Sequence, residues 1–213
     1  MNRSMQRQRS LFALSSQLFA VVSCLLALAW LLLPAPALAA EKPVTIEMKI
    51  EGRGAVMLEL YPSDAPKTVA HMVDLCKRKF YNGILVHRVE PGFVVQAGDP
   101  KTKELKPAEL AAMSDRKKME LQIGAGGSGK NIPFEVNDKT HKPGTMAMAL
   151  SRPRSDTGDS QWFINLEANH QLDGDYCVFG KVIKGMDVVR KIRVGDRISS
   201  MQVVTKKAGA KRN

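Results

Sequence analysis

The chain has 213 residues, with 32 Lys and Arg against 21 Asp and Glu, a net charge of +11, and 6% aromatic residues. That length supports one domain with a sizeable core. The positive charges are scattered and lack interleaved aromatics, so nucleic acid is not an expected partner and the surplus reads as solubility plus a solvated tail.

Arg3, Arg7 and Arg9 precede an apolar stretch from Leu11 to Leu33, interrupted by Ser15, Ser16, Gln17 and Ser23. Pro34, Pro36 and Ala37-Leu38-Ala39-Ala40 follow. A basic region, an apolar region and a small-x-small site predict a secretory signal peptide over residues 1–39, cleaved after Ala39. The apolar run also approaches the roughly 20 residues that span a bilayer. An uncleaved N-terminal anchor is therefore the alternative, and only then is the membrane a partner. Val21-Val22-Ser23-Cys24 loosely resembles a lipoprotein acylation box, but the apolar run continues past Cys24. Each version places the folded part outside the cytoplasm; a periplasm or lumen is the expected compartment, with the exterior as the alternative. Loss of the three arginines with no acid lowers the net charge from +11 to +8. Cys76 falls on an apolar helical stripe and Cys177 inside an apolar strand pattern, so free buried thiols are expected rather than a disulfide.

From Pro43 the pattern is strand-like. Val44, Ile46, Met48 and Ile50 alternate with polar residues, Gly52 to Gly54 turn, and Val56, Leu58 and Leu60 alternate again, which predicts a hairpin with one buried face. Pro66 opens a helix whose stripe is Val69, Met72, Val73 and Cys76, with His71 on its polar side. Tyr81-Asn82-Gly83 is a turn. Short strands are predicted near 86–90, 93–98, 132–135, 145–150, 162–166 and 176–182. Gly185 leads into a second helix with Met186, Val189 and Ile192 on one face, and residues 201–205 close as a strand. The expected domain, residues 40–205, is mainly β: most simply a closed barrel capped by two helices. Residues 101–131 stand out as a Lys- and Ala-rich insertion with a short helix near 107–115, and residues 206–213 form a basic tail.

Two segments carry the chemistry. Residues 87–99 and 160–164 set Arg88, Gln96 and Gln161 among Val89, Phe93, Val94, Phe163 and Ile164. Side chains alternate between faces of a strand, so Arg88, Gln96, Gln161 and Phe163 share one sheet surface while their neighbours fill the core. A guanidinium and two amides around an apolar hollow suit a neutral peptide with an apolar ring. An ion pair of Arg88 with Glu90 or Asp99 is the plainer alternative for that residue alone. Gly124 to Lys130 fits the first seven positions of the phosphate-binding G-x-x-x-x-G-K, but Asn131 stands where Ser or Thr would hold magnesium, Pro133 follows, and no helix is expected there to supply its N-terminal amides. His71, His87, His141 and His170 show no ligand spacing, so no metal is expected. No activated nucleophile is evident.

These segments resemble the cyclophilins, the cyclosporin-binding class of peptidyl-prolyl cis-trans isomerases. Tyr81-Asn-Gly, His87-Arg88, Pro91-Gly92-Phe93, Gln96-Ala-Gly-Asp99, Gly144-Thr-Met-Ala-Met148-Ala149, Ser160-Gln161-Trp162-Phe163-Ile164-Asn165, Leu172-Asp173-Gly174 and Val178-Phe179-Gly180 occur in the family's order. The resemblance implies an eight-stranded antiparallel barrel capped by two α-helices, no cofactor, and proline-containing polypeptides as partners of a monomer. It implies a catalytic set of Arg88, Gln96 and Phe93, with Arg88 as the catalytic arginine. Phe93, Val94, Phe163 and Leu172 would receive the proline ring. Gln96 and Gln161 would hold the substrate backbone, and Ala149 with Leu150 would form an edge for an extended peptide. Val94, Leu150 and Tyr176 replace a methionine, an asparagine and a histidine of the better-known eukaryotic members, with Tyr176 shared by bacterial relatives. Gln171 aligns with the tryptophan linked to tight cyclosporin binding, so weak drug binding is expected. The function implied is acceleration of X-Pro rotation in exported proteins during folding. The alternative is a peptide-binding module or holdase using the same groove with incidental turnover.

Overall fold

A computed structural model describes residues 42–204. The expected leader or anchor over residues 1–39 and the tail over 206–213 lie outside the described residues. No helix among the described residues is long and apolar enough to cross a membrane.

The hairpin forms as its alternation predicts. Strands β1 (Val44–Ile50) and β2 (Gly54–Leu60) pair antiparallel, with Val44 opposite Leu60 and Met48 opposite Val56. Helix α1 (Pro66–Lys77) opens on its proline, and no side chain of its own segment caps it. The Glu135 carboxylate does so from a distance, accepting from the backbone N–H of Lys67 at 2.9 Å and of Thr68 at 2.8 Å. This satisfies two of the free amides at the positive end of the helix. The helix buries Val69, Met72, Leu75 and Cys76.

The remaining elements are β3 (Arg88–Glu90), β4 (Val94–Ala97), α2 (Pro107–Ala112), α3 (Asp115–Glu120), β5 (Thr145–Met148), β6 (Trp162–Asn165), β7 (Val178–Lys184), α4 (Met186–Val189) and β8 (Ile198–Val203). The eight strands make one sheet in the order β3-β4-β6-β5-β7-β2-β1-β8, every neighbouring pair antiparallel. The expectation of a closed barrel needs correction. β3 and β8 end the order with no ladder between them, and a single bridge between Leu85 and Arg197 lies across the seam. The fold is a curled, mainly β sheet with few helices.

Three further expectations change. No strand forms at 132–135, because Pro133 has no N–H to give a ladder and the Phe134 N–H is taken by the Asp156 carboxylate at 2.8 Å. Ile132 keeps one bridge, to Gly158. The second helix stops at Val189, after which Lys191 and Ile192 close four-residue turns that still bury Ile192. The insertion holds two short helices rather than one, anchored by the fully buried Leu110.

Alternation gives the sheet two chemistries. Val95, Ala97, Met146, Met148, Trp162, Ile164 and Phe179 join the main core with α1. Their neighbours Val94, Ala147, Phe163 and Val178 form a separate small cluster on the other face, against which Phe93, Ala149, Leu172 and Tyr176 pack. The second face is the surface that carries the site.

Cys76 and Cys177 are free and buried, and burial pushes both thiols up to about 12. His71 is also buried, against the expectation of a solvated position, because its Nε2 meets Asp159 Oδ1 at 3.3 Å. His87 faces away from Arg88 and is buried with neither ring nitrogen hydrogen-bonded. Burial lowers its pKa from 6.5 to about 4, opposed by Asp99. The unfolded chain therefore takes up this proton before the folded chain does. The contribution of His87 is complete above pH 6.5 and is lost as pH falls toward 4. By pH 5 the loss is about 2 kcal/mol. His87→Leu is expected to flatten the fall in thermal midpoint between pH 7 and 5, and an unchanged slope would assign it to other groups.

Candidate active site

Register builds the site. Arg88 on β3 stands opposite Gln96 on β4, Gln96 opposite Phe163 on β6, and Phe163 opposite Ala147 on β5. These four side chains form one row across four strands, because directly paired residues point to the same side of a sheet. Phe93, at the turn into β4, brings its ring under the guanidinium, 5.6 Å from its carbon. Tyr176 meets Phe163 edge to face at 5.8 Å.

Together these residues surround a hollow of about 210 Å³. Arg88, Phe93, Val94, Gln96, Ala149, Leu150, Phe163, Leu172 and Tyr176 line it. Arg88 is the one ionised residue among them. Its Nη1 donates to Gln96 Oε1 at 3.1 Å, and its Nε lies 3.6 Å from Glu90 Oε1. The contact with Glu90 is exposed, so it contributes little. Asp99, the other expected partner, is fully buried and turned elsewhere. The guanidinium keeps donors free toward the hollow, since it carries five N–H groups.

The tenth expected residue, Gln161, lies apart. It lines a second hollow of about 380 Å³, shared at its border with Gln96, Ala149 and Leu150. Its Oε1 accepts from Gln96 Nε2 at 3.0 Å, and its Nε2 donates to the carbonyls of Gly124 and Gly126, both at 2.8 Å. Ala149 and Leu150 follow β5, a central strand, and the Ala149 N–H is spent on the Gln161 carbonyl at 3.0 Å. They wall the hollow without offering that amide to a peptide.

Several residues that shape the site escaped sequence reasoning. Asp99 Oδ2 accepts from the amides of Gly124 at 2.6 Å and Gly126 at 3.3 Å, and Oδ1 from Lys101 at 2.9 Å. Asp159 accepts from Ser128 and from the amides of Gly129 at 3.0 Å and Lys130 at 3.3 Å. Amides that a phosphate loop would aim at its ligand are thus turned onto two carboxylates. Gly126 and Gly127 fit because an added Cβ would run into Asp99 and Asp159. On the far side, His141 stacks against Phe163 with rings 5.8 Å apart and 15° from parallel. Asp173 holds His141 through its backbone N–H at 2.7 Å and Nδ1 at 3.0 Å, and His170 Nδ1 at 2.9 Å. Burial opposes the Asp173 charge, but these donors outweigh it and hold the carboxyl at about 2. Burial likewise lowers the His141 pKa, against the raising effect of Asp173. Both dispositions need long-range folding, which no spacing reveals. Among the described residues no group of three or more His, Cys, Asp or Glu side chains is placed to hold a metal.

Comparison with known proteins identifies the family. The family model described as Cyclophilin type peptidyl-prolyl cis-trans isomerase/CLD matches residues 45–209. A peptidyl-prolyl cis-trans isomerase of Synechococcus elongatus is 38% identical over 155 residues, covering 72% of this chain and 92% of the relative. Peptidyl-prolyl cis-trans isomerase B of Bacillus subtilis is 35% identical over 156 residues, covering 72% and 94%. The crystal structure of a cyclophilin type isomerase of Cryptosporidium parvum superposes with a TM-score of 0.63 at 21% identity, covering 78% of this chain and 99% of that one, a likeness of fold. The same protein solved in the presence of the dipeptide Ala-Pro gives 0.60 at 21% identity, covering 76% and 99%. The chain belongs to the cyclophilin-type peptidyl-prolyl cis-trans isomerases.

Proposed function

We propose that this isomerase acts on X-Pro bonds of exported proteins, with Arg88 as its catalytic residue and Gln96 and Phe93 as its immediate supports. The observation that carries the reading is the paired row that sets one guanidinium beside an apolar, ring-sized hollow. The peptide bond resists rotation because its nitrogen lone pair is delocalised into the carbonyl, a barrier of about 18–20 kcal/mol. Uncatalysed X-Pro exchange takes roughly tens to hundreds of seconds. Catalysis of this step needs no nucleophile or cofactor. Val94, Phe163 and Leu172 hold the proline ring while the preceding carbonyl turns. As the bond twists, the prolyl nitrogen regains its lone pair and becomes an acceptor for Arg88. That hydrogen bond is stronger in the twisted state than in either planar one, which is the differential binding that lowers a barrier. The bond of Gln96 to Nη1 and the Phe93 ring keep the guanidinium in place.

Arg88→Ala is expected to fold normally and lose about 10²–10³-fold in kcat/KM on an Ala-Pro peptide, the scale of one lost preorganised donor. A folded variant with wild-type rate would overturn the assignment. If the variant suppresses aggregation as well as wild type while isomerisation is lost, capture by the groove is separable from turnover. Gln171 stands at the position linked to tight cyclosporin binding, so weak inhibition by that drug belongs to the same reading.

Export rests on the sequence of residues 1–39. Mass spectrometry of the protein from its native cells is expected to find a mature N-terminus at Ala40. A full-length chain in the membrane fraction would favour the anchor, and a full-length soluble one would contradict export.

A further inference from the structure

The directions of four hydrogen bonds point to a role for Gln161 other than holding substrate. Arg88 has donors only, so it fixes the oxygen of Gln96 toward itself. The amide nitrogen of Gln96 must then face Gln161 and meets its oxygen at 3.0 Å. The nitrogen of Gln161 consequently faces the insertion, where the carbonyls of Gly124 and Gly126 each accept at 2.8 Å. Both N–H groups of the Gln161 amide are spent there, and its residue is 8% exposed. A substrate carbonyl could reach this amide only by displacing the loop.

We propose that Gln161 is a positioning residue that ties the insertion to Arg88, so that the seating of residues 124–126 sets the turnover of the isomerase. The loop is a defined object with its own anchors. The amides of Gly124 and Gly126 sit on Asp99 while their carbonyls sit on Gln161, so the loop is gripped on both polar groups of the same residues. Gly126 has no room for a side chain, because a Cβ would collide with the Asp99 carboxylate. When the loop is seated, Gln161 has one orientation, Gln96 has one orientation, and the guanidinium is held beside the hollow. When it lifts, two carbonyls are lost to Gln161, its amide is free to rotate, and Gln96 loses its second partner. A chain of polarised hydrogen bonds transmits such a change because each bond depends on the orientation of the next. Whatever moves the insertion then alters the chemical step without touching the proline hollow. This inference rests on the reading that Arg88 drives rotation.

Two variants separate the links. Gly126→Ala unseats the loop and changes no side chain of the proline hollow. Gln161→Glu keeps an acceptor for Gln96 and replaces the donors to the loop with a carboxylate that repels its carbonyls. Exchange NMR on an Ala-Pro peptide gives kcat and peptide Kd for each variant, the double variant and Arg88→Ala. Loop amide signals of Gly124 and Gly126 report whether the loop has moved. Each single variant is expected to lose roughly tenfold in kcat with Kd unchanged, and the double to match either single within about twofold, as for residues acting through one link. A raised Kd at constant kcat in Gln161→Glu would make it a substrate-holding residue and overturn the proposal. Losses that multiply in the double variant, or full kcat in Gly126→Ala with a displaced loop, would overturn it too. If Gly126→Ala does not fold, Gln161→Glu decides alone, and full kcat there ends the proposal. Full activity in Arg88→Ala would instead remove the reading beneath it.

Discussion

Everything at the site depends on antiparallel register between β3, β4 and β6. The pairing of Arg88 with Gln96 and of Gln96 with Phe163 puts a guanidinium, an amide and an aromatic ring side by side on one face. A slip of one residue in β4 would replace Gln96 by Val95 or Ala97 and send the amide into the core. That slip is resisted from the opposite face, where Val95, Ala97, Trp162 and Ile164 are buried in the main cluster. The geometry of the candidate site is therefore held by core packing, with no strand dedicated to it. The main core and the candidate site use alternate residues of the same short strands.

A second layer of control comes from carboxylates that face away from the hollow. Asp99 and Asp159 fold the glycine-rich end of the insertion, and Asp173 fixes His141 behind Phe163. Each is an acceptor serving several donors at once. Buried or half-buried polar groups are costly unless satisfied, and here that requirement is what shapes the loops. The loop that resembles a phosphate cradle closes on protein carboxylates, so its amides are already occupied.

Much of the fold was legible because strands leave a period of two and helices one of 3.6. The hairpin of β1 and β2, the Val69-Met72-Cys76 stripe of α1 and the alternation through Gln96 and Phe163 all appear where the pattern puts them. Nine of the ten site residues that the family resemblance implied meet around one hollow, though only Arg88, Val94, Gln96 and Phe163 of them stand on strands. The failures have physical causes as well. Apolar content at 132–135 suggested a strand, but Pro133 and the Asp156 carboxylate remove its ladder bonds. Closure of the sheet depends on how the two end strands meet, which local periodicity does not encode. His71 looked solvated on its helix because its partner, Asp159, is 88 residues away in the chain. Gln161 was placed on the correct surface, yet its partners are backbone carbonyls of an insertion with no pattern to announce them.

The central claim is that a fork of donors held in place, rather than a positive charge alone, lowers the barrier to rotation. Arg88→Lys tests it most directly, because lysine keeps the charge and loses the planar fork. Exchange NMR of an Ala-Pro peptide with the folded variant is expected to show kcat/KM close to that of Arg88→Ala. A lysine variant that turns over near the wild-type rate would contradict the account, since charge near the hollow would then suffice.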